Sequence, residues 1–497
     1  MAKGGLLPTG FAGEFQGLSD SQQGYVSSDS IKYSESIISG LMAISDGAII
    51  LVSGLCLYLI HPGWGEAVNS TYMAIILLTA FVAILIFYFA GLYVISYRDM
   101  FKPQTRKYLR VYAVFFLTMI AIIFAFKSSE EFSRIWVFSW FLASASLLGL
   151  ERWLFNRMIC KWSKDGSLTL NVAIVGANEQ ANRLVKSIRA NDGPWIRIAG
   201  IFDDRTDRIP ETIENFRVTG NLDCLIRDAR EQRIDNVIVA LPGGAEQRTM
   251  ELLERLKILP VRVGLCPDMT SLNFPYHSFS LYGGIPVLDA IYKPIDGWNS
   301  ILKSIEDSVL GALILLLSLP VLLIVSILIK LDSPGSIFFR QTRYGFNNKP
   351  FEMIKFRTLY ASAQDNSAET LVTRDDARVT RIGSFLRRSS LDELPQIINV
   401  LRGHMSIVGP RPHAMSAKAD GKYYQNVVTE YFARHKVKPG ITGWAQVNGW
   451  RGETDTEEKI LKRVEYDSYY IENWSILFDI RIILKTFMAL VQKENAY

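Results

Sequence analysis

The chain has 497 residues, 49% hydrophobic, 21% charged and 12% aromatic, with 54 Lys and Arg against 49 Asp and Glu. At about 100–200 residues per domain it holds two to four domains, and 35 Gly, 18 Pro and 4 Cys exclude collagen-like, disordered and disulfide-stapled classes. The +5 surplus lies wholly from Trp298 onward, where 26 basic residues face 21 acidic ones; that suits phosphorylated ligands or anionic headgroups and is too dilute for nucleic acid.

Residues 1–36 are polar, rich in Gly and Ser, and lack an apolar core segment, which predicts a disordered tail and no cleavable signal peptide. Region 37–152 carries four apolar stretches, Leu41–Ile60, Tyr72–Ile95, Leu109–Phe126 and Phe132–Leu150. Each approaches the roughly 20 residues needed to cross a bilayer. Asp46 inside the first is expected near an interface or facing other helices. The loop His61–Thr71 has no Lys or Arg, whereas Arg98, Lys102, Arg106 and Lys107 follow the second stretch and Arg152, Arg157, Lys161 and Lys164 the fourth. The positive-inside rule then places the N-terminus, the middle loop and everything after residue 150 on the cytoplasmic face of the membrane.

Residues 165–290 alternate strand and helix patterns, with strands expected at Leu170–Val175, Ile196–Phe202, Asn236–Leu241 and Val261–Leu265. That pattern reads as a Rossmann-like α/β domain. Its first turn, Gly176-Ala177-Asn178-Glu179-Gln180-Ala181, lacks the second glycine of a dinucleotide fingerprint, and Glu179 would face a pyrophosphate. A structural or regulatory module is the favoured reading. Cys56, Cys160, Cys224 and Cys266 form no CxxC pair and no zinc pattern, so reduced, buried thiols are expected.

Ser308–Ile329 is a further run of 22 uncharged residues. Crossing there would put its flanks in opposite compartments, yet Lys330, Arg340, Arg343, Lys349, Lys355 and Arg357 follow it. Pro320 removes a backbone donor in mid-run, and Ser318 stands near enough to bond a freed carbonyl. A broken, re-entrant helix over 308–329, entering and leaving by one face, reconciles both observations.

Beyond it, basic residues cluster with Gly and Pro: Gln341-Thr342-Arg343, Lys355-Phe356-Arg357-Thr358, Asp376-Ala377-Arg378, Arg387-Arg388-Ser389-Ser390-Leu391-Asp392-Glu393-Leu394-Pro395-Gln396, Gly409-Pro410-Arg411-Pro412-His413 and Lys438–Asn448. A carboxylate among guanidinium groups stays ionised and can attack phosphorus without a general base. Its neighbour can ligate Mg²⁺ bridging substrate phosphates, and arginine forks suit a diphosphate. Ser390-Leu391-Asp392-Glu393 also fits a capping box, with Glu393 folded back on a helix start.

On those motifs, residues from about Ser300 to Tyr497 resemble the bacterial sugar transferase family, the polyprenyl-phosphate hexose-1-phosphate transferases. The layout resembles the long-form undecaprenyl-phosphate glucose phosphotransferases. The resemblance implies an α-helical membrane region, the Rossmann-like α/β middle domain and, over 298–497, a monotopic α/β catalytic domain with the re-entrant helix. It implies transfer of glucose 1-phosphate from UDP-glucose to undecaprenyl phosphate, releasing UMP, as the first membrane step of exopolysaccharide synthesis. Asp392 would be the nucleophile and Glu393 the Mg²⁺ ligand. Arg387, Lys355 and Arg411 match phosphate-handling positions, with Arg357 counted beside them, and Asp479 matches a further acid of less defined role. Ile476–Val491 reads as an amphipathic helix on the membrane surface or as an ordinary core helix. Galactose is the next sugar after glucose, and homo-oligomer formation stays open. A nucleotide-sugar oxidoreductase or epimerase lacks its glycine-rich turn and a Tyr-x-x-x-Lys base, and a scaffold leaves the carboxylates and arginines without purpose.

Overall fold

A computed structural model describes residues 35–61, 69–93, 105–125, 132–164, 169–191, 196–205, 212–214, 216–231, 233–266, 279–363, 376–413, 418–419, 422–428, 431–450 and 456–492. The tail expected over 1–36 lies almost wholly outside these residues.

Helices α1 (Glu35–Ile60), α2 (Ser70–Phe89), α3 (Thr105–Ala125) and α4 (Arg134–Lys164) pack around Phe87, Phe115, Met119, Trp136 and Trp140. Their outer faces carry Ile44, Phe81, Leu117 and Phe138, with Phe89 82% and Phe124 77% exposed. Apolar residues turned outward on long helices are the pattern of a lipid-facing surface. Among the described residues, four helices are long and apolar enough to cross a membrane: Ser36–Ile60, Ser70–Phe89, Arg106–Ala125 and Trp298–Asp332. The fourth expected N-terminal stretch forms α4 but is not among them; Ser139, Ser144 and Ser146 dilute it, and the helix runs on through Glu151 and Arg152. Asp46 faces other helices, taking bonds from Arg152 Nη2 at 2.5 Å and Tyr93 OH at 2.8 Å. Cys56 is exposed and Cys224 half-buried, against expectation; Cys266 is buried.

In the middle region, β1 (Leu170–Val175), α5 (Glu179–Asn191), β2 (Ile196–Phe202), β3 (Thr212–Ile213), β4 (Phe216–Gly220), α6 (Leu222–Arg230), β5 (Asn236–Val239), α7 (Glu246–Leu256), β6 (Arg262–Leu265), β7 (Phe279–Tyr282) and β8 (Ile285–Ile291) follow in order. They build one sheet in the order β3-β4-β2-β1-β5-β6-β8-β7. Strands β4, β2, β1, β5 and β6 are parallel; β3, β7 and β8 add antiparallel edges that the apolar pattern did not announce. Val172 and Ile174 pack on one face of the sheet, Ala173 and Val175 on the other, as a strand covered on both sides requires.

Helix α8 (Trp298–Asp332) is continuous, about 50 Å long at 1.5 Å per residue, with Pro320 inside it. The expected break is absent as an interruption of helical structure. Ser318 Oγ donates to the Leu315 carbonyl at 3.2 Å, one residue before the Leu316 carbonyl that Pro320 deprives of its donor. Both ends of α8 pack on the C-terminal region. Near its start Lys303 bonds Asp479, in its first half and at its midpoint Leu310 and Leu315 join the cluster of Phe351, Ile397 and Val400, and Val325 and Ile329 near its end pack on Phe356 and Leu386. Between them Leu316, Leu317, Leu323 and Ile324 stand exposed.

The C-terminal region continues with β9 (Phe338–Tyr344), β10 (Pro350–Phe356), α9 (Arg381–Ser389), α10 (Gln396–Leu401), β11 (Ser406–Val408), β12 (Lys418–Ala419), β13 (Lys422–Tyr423), α11 (Tyr424–Val427), β14 (Gly440–Thr442), α12 (Trp444–Val447), α13 (Glu457–Glu472) and α14 (Ile476–Gln492). The antiparallel pairs β9–β10 and β12–β13 and the parallel pair β11–β14 are its small sheets among the described residues. Thr380 caps α9 and Thr456 caps α13 by accepting from Gly383 N and Lys459 N. Helix α14 is two-sided: Leu477, Ile480, Leu484, Phe487 and Met488 are exposed on one face, while Asp479 and Ile482 are buried.

Candidate active site

Four segments meet at the carboxylate pair. Strand β10 delivers Lys355, and helix α9 delivers Arg387. A left-handed residue, Ser390 (φ 57°), ends α9 and starts the 3₁₀ turn Leu391–Glu393 that carries Asp392 and Glu393. The loop after β11 brings Arg411. The expected capping box does not form: the Ser390 side chain caps nothing at the turn. Glu393 points away from the helix start, Oε1 accepting from Lys355 Nζ at 2.9 Å and Arg411 Nη2 at 2.6 Å. Arg411 Nη1 lies 3.3 Å from Oε2, so the guanidinium grips both oxygens.

Backbones packed against each other fix the loop that holds Arg411. A Cβ on Gly440 would lie 2.1 Å from Gly409 N, and one on Gly409 would lie 2.5 Å from the Lys438 carbonyl. The glycines of the Gly409-Pro410-Arg411 and Lys438-Pro439-Gly440 motifs are therefore demanded by β11–β14 packing. Gly383 plays the same part for α9, its Cβ position falling 2.1 Å from the Thr358 carbonyl. That close approach lets Arg387 Nε donate to Thr358 Oγ1 at 3.1 Å while its charge acts on Asp392.

The two carboxylates are held in different states. Burial works against ionised Glu393, but Arg411 and Lys355 outweigh it and keep the carboxyl well below the usual range. Burial pushes Asp392 up, helped by the Glu393 charge and opposed by Lys355, Arg387 and Arg411. No described group hydrogen-bonds the Asp392 carboxylate. One carboxylate is thus clamped, and the other is left more basic and open.

Behind the pair lies a basic layer that no single sequence motif revealed. Arg434 Nη2 donates to the Arg411 carbonyl at 2.8 Å and to Asp467 at 2.6 Å, and Arg434 and Arg463 both contact His413. Burial and the charges of Arg434, Arg463 and Arg343 push His413 well down, so its ring is neutral and can accept from arginine. Burial pulls Arg343 and Arg463 down to about 10, still protonated at neutral pH. Among the described residues, Lys355, Arg343, Arg387, Arg411, Arg434 and Arg463 outnumber the carboxylates they act on, Asp376, Asp392, Glu393 and Asp467, an excess of positive charge matched to phosphate. Residues 413, 434 and 463 are too far apart in sequence to show this; His413, beside Arg411, was the one hint.

Two expected site residues lie elsewhere. Arg357 is 1% exposed and turned from the pair, donating to the Pro334 and Ser333 carbonyls at 2.8 and 2.6 Å and to Ser333 Oγ at 3.0 Å. It fastens the end of α8 to the end of β10 and does not offer its fork to a phosphate. Asp479 is fully buried, accepting from Lys303 Nζ at 2.6 Å, Trp474 Nε1 at 2.9 Å and Tyr470 OH at 2.9 Å. It ties α8, α13 and α14 together. Ser318 and Pro320 sit mid-helix.

The middle sheet offers a second cleft, about 180 Å³, at the carboxyl ends of β1, β2 and β5, bounded by Gly176, Asp203, Asp204, Arg205, Pro242 and Arg248. Its anion position is taken by the chain itself. Asp203 Oδ2 accepts from Ala177 N at 2.7 Å, and Asn178 Oδ1 accepts from Gln180 N and Ala181 N at the start of α5.

The open, clamped carboxylate pair with its arginine layer, set beside an apolar helix, is the site of a group-transfer enzyme for phosphorylated substrates at a membrane. The family model for bacterial sugar transferases matches residues 298–493, and that for a CoA-binding domain matches 88–267. A UDP-glucose:undecaprenyl-phosphate glucose-1-phosphate transferase of Escherichia coli (strain K12) is 44% identical over 328 residues, 66% of this chain and 68% of that protein. One of the same description from Klebsiella pneumoniae is 34% identical over 469 residues, 93% and 97%. The exopolysaccharide production protein PSS of Rhizobium leguminosarum bv. phaseoli is 47% identical over 197 residues, 40% of this chain but 98% of its own length. The chain belongs to the bacterial sugar transferase family.

Proposed function

We propose that this chain transfers glucose 1-phosphate from UDP-glucose to undecaprenyl phosphate, as the full-length relatives are named for doing, and that Asp392 carries the phosphosugar between the two. The observation that bears most weight is the unequal pair: Glu393 clamped by Lys355 and Arg411, and Asp392 open beside it.

In the first step an Asp392 carboxylate oxygen attacks the phosphorus that bears glucose. A bond forms from Asp392 oxygen to that phosphorus, its bond to the bridging oxygen breaks, and UMP leaves with the electron pair. In the second, a phosphate oxygen of undecaprenyl phosphate attacks the same phosphorus and releases the Asp392 carboxylate, giving undecaprenyl-diphosphate-glucose. Neither step needs a proton removed from the nucleophile. Arg387 and Arg411, with Lys355, hold phosphate oxygens and offset charge as it moves to the leaving group.

The donor set fits Mg²⁺. Glu393 Oε2 takes the longer arm of the Arg411 fork, 3.3 Å, and the Asp392 oxygens are open, while no group of three or more His, Cys, Asp or Glu forms among the described residues. Mg²⁺ characteristically takes one or two carboxylates and completes its shell with substrate phosphate and water. Glu393 would hold it, and bound there it supplies charge neutralisation to the diphosphate.

Helix α8 serves as a re-entrant element on this reading: both its first half and its end pack on the same domain, while its other face exposes apolar side chains from Leu302 to Leu331. That arrangement sets the pair at headgroup depth, with catalysis on the cytoplasmic face of the inner membrane. The middle domain, whose parallel strands run in the 3-2-1-4-5 order of a doubly wound sheet, is a Rossmann-like structural or regulatory module, since Asp203 and Asn178 fill its phosphate cradle.

The test is Asp392→Asn in purified full-length protein with Mg²⁺ and undecaprenyl phosphate. UMP release should fall about 10³-fold or more, and label from UDP-[¹⁴C]glucose should remain on denatured wild-type protein and not on the variant. Activity within tenfold of wild type would remove Asp392 from the role of nucleophile.

A further inference from the structure

The family model covers residues 298–493 without the middle domain, and the Rhizobium relative, matched over 197 residues that are 98% of its length, is too short to hold both. In this chain the middle domain nevertheless reaches the site, through the last residue of α6.

Asn347 Nδ2 donates to the Arg230 carbonyl at 2.7 Å. The Arg230 guanidinium lies over the Phe432 ring, 5.7 Å from its centroid, and Nε has no hydrogen-bond partner among the described residues. Among the described residues no carboxylate pairs with this guanidinium, and the contact works by stacking a cation on a ring. Both receiving residues are rigidly held. Asn347 is buried in a left-handed conformation (φ 54°) in the turn between β9 and β10, followed by Asn348 (φ 57°), which bonds His435 Nδ1. Phe432 belongs to the 3₁₀ turn Tyr431–Lys436, its ring against Tyr344, Tyr431 and His435.

What hangs from these two turns gives the contact its meaning. The turn holding Phe432 also holds Arg434, which fixes the Arg411 carbonyl and Asp467. The turn holding Asn347 leads into β10, which carries Lys355. Arg411 and Lys355 are the two cations that grip Glu393. Arg230 thus touches both segments that set the clamp.

We propose that Arg230 is a positioning residue for the transferase site, and that the middle domain, docked through it, holds Arg411 and Lys355 in the geometry the carboxylate pair needs. The inference rests on Asp392 and Glu393 being the reacting pair, and goes beyond that reading in giving the middle domain a part in turnover. A displacement on the order of 1 Å in a catalytic constellation can cost up to 10²-fold in rate, so partial loosening through two turns should cost about tenfold.

The experiment uses full-length protein in detergent, with wild-type UMP release from UDP-glucose established first, so that failure of the function itself is seen before any variant is read. Arg230→Ala should lower kcat about tenfold with KM for UDP-glucose within about twofold and the thermal midpoint unchanged. Arg230→Lys keeps a cation over Phe432 and should recover at least half of the loss; Phe432→Leu should reproduce Arg230→Ala. Wild-type kcat in Arg230→Ala overturns the proposal. So does a loss that tracks a lowered thermal midpoint and is not recovered by Arg230→Lys, since that marks a merely structural contact.

Discussion

Two turns in this molecule place carboxylates beside backbone N–H groups and arginines, and they end in opposite states. At the carboxyl end of β2, Asp203 bonds Ala177 N, Arg205 N and the Arg205 guanidinium. Burial alone would raise its carboxyl; the Arg205 side chain and the two backbone donors outweigh it and hold it below the usual range. Every need of that carboxylate is met from within, and nothing is left for a ligand. At Leu391–Glu393 the local segment meets none of the carboxylates' needs. Glu393 is satisfied only by residues 38 positions before it and 18 after it, and Asp392 is left open. A carboxylate filled by backbone N–H groups and one adjacent arginine stabilises a fold; one held by two cations from other segments beside an open partner is arranged for chemistry.

The comparison breaks if the clamp on Glu393 is only another internal ion pair. Arg411→Met should lower kcat about 10²-fold, measured as UMP release, with the protein still folded, and Arg411→Lys should recover little because a point charge cannot span both Glu393 oxygens. An unfolded Arg411→Met protein would place Glu393 with Asp203. Asp479→Ala tests a buried carboxylate outside the site: it leaves Lys303 without its shortest partner and should cost about 3 kcal/mol of stability, read by thermal or denaturant unfolding, with turnover per folded molecule preserved. The smallest effect belongs to Asp203→Ala, about 1–3 kcal/mol for the orphaned Ala177 N–H and no change in transfer rate. Because its folded pKa is depressed, the stability from Asp203 is fully present above the ordinary carboxylate range and is lost as pH falls through the depressed value. Wild type and Asp203→Ala should therefore converge in stability in acid and diverge toward neutral pH.

Much of the architecture was legible in the chain because it depends on local pattern. The runs Leu170–Val175 and Ile196–Phe202 end where the strands end, since strands buried on both faces read as unbroken apolar segments. Strands β7 and β8 were missed because, at an antiparallel edge, they mix Ser280, Pro286 and Asp289 with apolar residues. The capping box failed for a different reason. Ser390-Leu391-Asp392-Glu393 has the right spacing, but Lys355 and Arg411 compete for Glu393, and two charged partners outweigh one backbone donor. Arg357 stood in a basic run two positions after Lys355, a spacing that shares one face inside a strand; it lies just past the end of β10, where the alternation stops, and its guanidinium met the carbonyls ending α8.

The sequence by itself determined that this is a membrane-associated chain with an α/β middle and a basic C-terminal region, and that Asp392, Glu393, Arg387, Lys355 and Arg411 belong together. Apolar run lengths, strand periodicity and short motifs are local, and local patterns survive in one dimension. The tertiary structure decided which charges face the carboxylates and which are spent on the scaffold. It gave Arg357 and Asp479 to the packing of α8, gathered Arg343, Arg434, Arg463 and His413 behind the pair, and set Arg230 of the middle domain against Phe432. Those assignments depend on charges brought within about 3 Å of their partners, or over a ring 5.7 Å away, across gaps of tens to hundreds of residues, where burial and Coulomb attraction act on distance in space and not on distance along the chain.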